Sequence, residues 1–157
     1  MKLIIEMQDM ENYAAHQDGF TGEYHWKYKI GTTYVINDVD VNDLKALVEE
    51  VSPFICQDND CFKSYIADWY VLADNEDTEF VKDQKEYGGD WDTIYLPSEL
   101  KKNSKGVWFK KRGYVVGKSF DSPLAGQFVG WIDNLATGEC VAKIEGDTRS
   151  PIVKEAA

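Results

Sequence analysis

The chain has 157 residues and a formal net charge of −11, with five Trp, nine Tyr and seven Phe. That length fits one domain with a real core, and the aromatic content excludes a disordered chain. The acidity disfavours generic attachment to phosphate backbones or anionic lipids, which would need a locally basic face.

Leu3 to Met7 is a short β-prone run without a breaker and predicts the opening strand. Gln8 to Gly22 reads as a polar segment leading into a loop. Trp26–Lys29 and Thr32–Ile36 flank Gly31 and predict two strands joined or bent there. Asp38 to Val51 predicts a helix over about 40–51. Asp40 and Asp43 suit its N-terminal turn, Leu44, Leu47, Val48 and Val51 form one apolar face, and Pro53 stops it. Cys56 to Cys61 reads as a polar loop. Lys63–Ala73, apolar on both faces, predicts a central strand covered on each side and interrupted by Asp68.

A second, short helix is predicted over about 78–87, capped by Asp77 or Thr78 and ended by Gly88-Gly89. Trp91–Leu96 predicts a strand closed by Pro97. Two hairpins follow. In the first, Val107–Lys110 and Tyr114–Val116 flank a turn at Lys111-Arg112-Gly113. In the second, Gln127–Ile132 and Glu139–Ile144 flank Asp133–Gly138. Residues 147–157 read as a flexible tail. The expectation is a single α+β domain over 1–146 with a mainly antiparallel sheet.

Residues 8–35 carry a resemblance. Gln8, Met10-Glu11-Asn12-Tyr13, Ala15-His16, Trp26-Lys27, Lys29, Gly31 and Tyr34-Val35 are similar to an N-terminal pattern of small uncharacterised phage and plasmid proteins. That pattern has a Gln-x-Met-Glu-Asn-Tyr-Gly-Ala-His run followed by a Tyr-Trp-Lys-x-Lys-Gly-Gly run. The chain departs from it at Ala14 and Ile30, where the pattern has Gly. The resemblance implies a phage or mobile-element setting and no known activity.

Charge is the main functional signal. Residues 1–99 hold 22 acids and seven Lys/Arg, net −15, and residues 100–157 hold six acids and ten Lys/Arg, net +4. Asp74, Glu76, Asp77, Glu79, Asp83, Glu86, Asp90 and Asp92 form an acidic block that suits a partner protein. DNA mimicry is a sharper version. Duplex DNA carries one charge per about 1.7 Å, so a helix about 15 Å long would need roughly nine. The 78–87 helix has Glu79, Asp83 and Glu86, offset by Lys82 and Lys85, so mimicry needs a larger assembled surface.

Lys110, Lys111 and Arg112, interleaved with Trp108, Phe109 and Tyr114 in a basic hairpin over 105–118, have the composition of a phosphate or single-strand nucleic-acid platform. Edge strands also carry lysine simply to block aggregation. The basic 101–118 segment of one copy against the acidic 68–92 segment of another would give a homo-oligomer. Glu11, Tyr13 and His16 supply an acid–base cluster, but no nucleophile or metal signature accompanies them. His16, Asp18, Glu23 and His25 match no zinc spacing. Asp58-Asn59-Asp60 opens like a calcium loop but has Lys63 and Trp69 where Gly and Glu are required.

No phosphate-loop glycine motif and no GxSxG are present. No cofactor and no metal is expected. The opening Met1–Glu6 is too short and too soon acidic for a signal peptide, and no apolar run reaches the ~20 residues of a membrane span. Cys56, Cys61 and Cys140 suit reduced thiols in a cytosol, and the resemblance implies that this is the cytoplasm of a bacterial host.

The leading expectation is a non-enzymatic acidic interaction protein that binds and inhibits a host protein, in its most specific form a nucleic-acid-directed defence factor. The alternatives are a nucleic-acid or nucleotide-phosphate binder and a small enzyme built on Glu11, Tyr13 and His16.

Overall fold

The computed structural model describes residues 1–12, 26–29, 31–87, 94–115 and 128–146. The chain divides into two compact units, Met1–Leu72 and Ala73–Ala157. The first contains β1 (Lys2–Asn12), β2 (Trp26–Lys29), β3 (Thr33–Ile36), α1 (Leu44–Ile55), β4 (Gln57–Asp58) and β5 (Phe62–Leu72). The second contains α2 (Glu79–Tyr87), β6 (Ile94–Lys102), β7 (Trp108–Val115), β8 (Phe128–Asn134) and β9 (Cys140–Gly146). The fold is α+β, strands dominate, and the strand pairs within each unit are antiparallel. The tail predicted over 147–157 and the Gly88-Gly89 helix stop lie outside the described residues.

β1 is the buried centre of the first unit, a place the sequence reading gave to 63–73. Leu3, Ile4 and Ile5 are all at most 1 % exposed, so both faces of the strand are covered there. Burying each such side chain contributes about 1.5–3 kcal/mol. β5, by contrast, leaves Tyr65 and Trp69 exposed and, among the described residues, has just the two residues of β4 beyond it. β1 runs five residues further than expected, to Asn12, because both of its edges are occupied. β5 pairs along one edge from Lys2 to Glu11. On the other edge β3 faces Leu3–Glu6 and β2 faces Asp9–Asn12.

The junction between β2 and β3 falls at Gly31 and Thr32. The Met7 amide donates to the Thr32 carbonyl at 2.9 Å. A Cβ on Gly31 would lie 1.7 Å from the Met7 carbonyl oxygen, so only glycine lets the two backbones approach this closely. Asp9 locks the same point. Its Oδ2 accepts from the Thr32 amide and hydroxyl, both at 3.0 Å, and its Oδ1 accepts from the Ser64 hydroxyl at 2.7 Å. One half-buried carboxylate thus ties β1, β5 and the approach to β3.

α1 starts and ends later than the sequence predicts. Asp38 adopts a left-handed φ of 56°, and the Val39 amide is taken by the Met1 carbonyl. The Asp40 carboxylate accepts from the Asn42 amide and side chain at 3.0 Å, making a local turn instead of a helix cap. The helix therefore begins at Leu44. It continues through Pro53, which stands exposed in the last turn. A proline inside a helix costs about 3 kcal/mol, through its missing N–H and the clash of its ring with the preceding turn. Extending the buried stripe from Val48 and Val51 to Ile55, 4 % exposed, contributes about 1.5–3 kcal/mol and offsets much of it.

The polar 56–61 segment is a tight β4–β5 turn. The Asn59 side-chain oxygen accepts from the Cys61 and Phe62 amides at 2.9 and 2.8 Å. Asn12, fully buried, donates to the Asp60 carbonyl at 2.9 Å and pins this turn to β1.

The second unit is a β6-β7-β8-β9 meander with α2 against β6. The 78–87 helix prediction holds, with the Thr78 hydroxyl accepting from the Val81 amide at 3.3 Å. Pro97 does not close β6. It falls in a bulge between Leu96 and Glu99, opposite Arg112, where a missing N–H costs no ladder bond. Lys111-Arg112-Gly113 is not a turn: β7 runs straight through it, paired on both edges. The actual turn is at 103–107. There Asn103 Oδ1 accepts from the Lys105 and Val107 amides, and Gly106 takes a φ of 81°. The loop predicted over Asp133–Gly138 lies instead at 135–139, because β8 continues through Asn134 and β9 starts at Cys140; Asn134 and Gly138 are its turn residues. Ile132 and Ile144 form the core of this unit with Leu96 and Phe109.

Gly31→Ala forces a side chain into the Met7 carbonyl, a contact no rotamer relieves. Urea denaturation is expected to show a loss of about 3 kcal/mol or more. A change within about 0.5 kcal/mol, typical of surface positions, would contradict the close approach.

Candidate functional site

The acidic block begins in the turn after β5. Asp74 and Glu76 are exposed there, and the Glu76 amide donates to the Ala73 carbonyl at 3.0 Å. Asp77 is half-buried just before the α2 cap. Glu79 opens α2 with its side chain 85 % exposed, where the helix dipole favours a carboxylate. Asp83 is exposed one turn further on, on the same stripe. Val81, 8 % exposed, is buried off that stripe. Lys82 is the one base between Ala73 and Asp83 and pairs with Glu79 at 3.2 Å. Glu86 follows in the last turn of α2, and Asp90 and Asp92 lie outside the described residues. Of the described part of the block, Asp74, Glu76, Glu79 and Asp83 face solvent on a turn and a helix start, and Asp77 is half-buried.

The basic residues are used differently. Because β7 is one continuous strand, Lys111 projects to one face and Lys110 and Arg112 to the other. Lys111 Nζ meets Glu99 at 3.2 Å, with both side chains under 20 % exposed. Arg112 Nε donates to Asp133 Oδ2 at 2.6 Å and lies over the Trp131 ring, 4.9 Å from its centroid. Tyr114 packs against the same indole, ring centroids 6.0 Å apart. The other Asp133 oxygen is buried without a hydrogen-bond partner. Neither residue 116 nor 117–118 lies within the described residues, so the described part of the 105–118 segment is a turn leading into β7.

Glu11 is not in a loop after the first strand but on β1 itself. It pairs with Lys29 at 3.4 Å, and Lys29 also lies 5.8 Å from the Phe62 ring. Tyr13 and His16 lie outside the described residues, as do Asp18, Glu23 and His25. Asp9–Asn12 pair residue by residue with Lys29–Trp26. Among the described residues, no group of three or more His, Cys, Asp or Glu is arranged to hold a metal. Also among them, no helix is long and apolar enough to cross a membrane.

Sequence reading missed two polar centres. One is the Asp9 lock described above. The other joins Glu6 and Tyr70, whose hydroxyl donates to Glu6 Oε1 at 2.8 Å. Glu6 also stands directly opposite Asp68 in the β1–β5 ladder. Burial, then the hydrogen bond to Glu6, then the charges of Glu6 and Asp68 push the Tyr70 hydroxyl up to about 12. The alternation of β1 past Ile5 was the available signal for an inward-turned Glu6, but nothing in the sequence supplies the register that sets Tyr70 beside it.

No protein-family model, no curated protein and no solved structure matches the chain.

Tyr70 has a testable pH signature. Its folded pKa, about 12, exceeds the ordinary value of 10.0, so the folded state holds the proton more tightly. That stability is complete below pH 10.0 and is lost as pH rises from 10.0 to about 12. Tyrosinate absorbance should show a late-titrating component that disappears in Tyr70→Phe. The same variant should lose stability less steeply than wild type across this alkaline range, and identical slopes would contradict the assignment.

Proposed function

We propose that the chain is a non-enzymatic interaction protein that captures a basic partner protein on its acidic segment. The observation that carries this reading is the succession of exposed carboxylates Asp74, Glu76, Glu79 and Asp83, with Lys82 already held by Glu79. Such a run raises the local potential against a positive surface, speeding and orienting encounter. In the phage or mobile-element setting implied by the resemblance, the partner is a host protein of the bacterial cytoplasm. A defence factor directed at nucleic acid has the basic surface that this segment fits, and occupying that surface inhibits it.

The test uses a tagged whole chain and the partner it retains from bacterial lysate, identified by mass spectrometry. Neutralising Asp77→Asn, Glu79→Gln, Asp83→Asn and Glu86→Gln together is expected to lower retention of that partner about tenfold or more. Retention by the unaltered chain should fall as salt rises. Unchanged retention by the fourfold variant would place docking elsewhere and overturn the proposal.

A further inference from the structure

Strand register sorts the side chains of the first unit onto two faces. Successive residues point to opposite sides, and residues directly opposite one another share a side. Leu3, Ile5, Met7, Tyr34 and Ile36 fall on one face, and all are at most 7 % exposed. On the other face Tyr65 stands opposite Gln8, Lys63 and Tyr28 stand opposite Met10 from either side, and Trp26 lies one row further on. Two contacts confirm the sorting. Lys63 Nζ is 4.7 Å from the Trp26 ring centroid, and on the opposite face Lys29 reaches Glu11 at 3.4 Å. Tyr28 is 74 % exposed and Tyr65 47 %. Toward the Asn12 end of β1, the second face therefore presents aromatic rings to solvent.

A sheet face offers rings but no main-chain partners. The ligand that matches it carries a backbone needing none, and polyproline II is extended, hydrated and without internal hydrogen bonds. Its preformed shape lets proline rings pack on aromatic side chains at little entropic cost. The spacing agrees. Neighbouring strands lie about 4.8 Å apart and each residue rises about 3.4 Å. Tyr28 and Tyr65 are two strands apart and one side-chain row out of step, so their Cα atoms are separated by about 12 Å. About four residues of polyproline II, rising about 3.1 Å each, cover that span. Charge selects the flank of such a segment. Asp68, exposed, follows Tyr65 on the same face of β5 and stands opposite Glu6. Residues 1–72 hold 13 acids and five Lys/Arg. These charges attract a Lys or Arg beside the prolines and repel a phosphate backbone, the other ligand that stacks on exposed rings. The chain's own four prolines are scattered, so the segment belongs to another protein.

We infer that this face docks a proline-rich segment of a partner protein, with Tyr28 and Tyr65 against its proline rings and Asp68 and Glu6 beside an adjoining Lys or Arg. The surface uses no residue of the acidic segment.

Fluorescence anisotropy of a labelled polyproline peptide ending in arginine, titrated with the whole chain at low salt, tests it. The peptide is expected to bind saturably. Tyr28→Ala and Tyr65→Ala should each weaken binding about fivefold. Tyr28→Phe and Tyr65→Phe keep the ring and should stay within about twofold of the unaltered chain, which separates loss of the ring from loss of structure. Asp68→Asn should weaken binding of the arginine-ended peptide about threefold and leave an alanine-ended one unchanged. No saturable binding, binding indifferent to both Ala changes, or tighter binding of a single-stranded thymine oligonucleotide than of the peptide would each overturn the inference. An Asp68→Asn chain that binds the arginine-ended peptide as the unaltered chain does would overturn its charged half.

Discussion

The first unit depends on one close approach, the Gly31 backbone against the Met7 carbonyl. Two short strands share a single edge of β1, and the chain must pass from one to the other without losing contact with it. Gly31 allows the approach, Thr32 accepts the Met7 amide, and Asp9 satisfies the Thr32 amide and hydroxyl together with the Ser64 hydroxyl. These bonds sit within a few residues of one another on three segments. Without them β2 would have no fixed register, and the pairing of Asp9–Asn12 with Trp26–Lys29 would be free to slip.

The charge reversal along the sequence conceals two different uses of charge. In β7, Lys111 and Arg112 are spent inside the sheet, one on each face, against Glu99 and Asp133. These pairs are half-buried, so removing one partner would strand a charge in a poorly solvated place. On α2 Glu79 and Asp83 stay in water, and the Lys82–Glu79 pair is of the exposed kind, worth about 0–1 kcal/mol. Lys111 and Arg112 are held by carboxylates of the sheet, whereas Asp74, Glu76, Glu79 and Asp83 are exposed. That asymmetry favours partner capture by the acids over phosphate capture by the bases.

Much of the fold was legible because it rests on local signals. Leu3–Met7, the Thr78-capped helix and the glycine-ended loop of the last hairpin follow from β-propensity, capping and turn chemistry. What failed did so where tertiary pairing overrode a local rule. Lys111-Arg112-Gly113 has turn composition, yet β6 and β8 on either side hold it extended. Pro97 is a breaker that a bulge absorbs, and Pro53 is a helix stop that the burial of Ile55 largely offsets. The acidic block could be read directly, since exposed charge needs no register. Asp9 and Tyr70 could not, because their partners lie 23 to 64 residues away in sequence.

The central structural claim is that β1 is the strand on which the Met1–Leu72 unit is built, and amide hydrogen exchange tests it most directly. Leu3 to Met7 are paired on one edge by β5 and on the other by β3 or the Thr32 carbonyl, and their side chains are covered. Their amides should be the slowest to exchange in that unit, outlasting those of α1 around Val48–Val51. If α1 or β5 amides outlast them, the unit is not organised around β1, and the Gly31–Met7 approach is not the constraint that holds it.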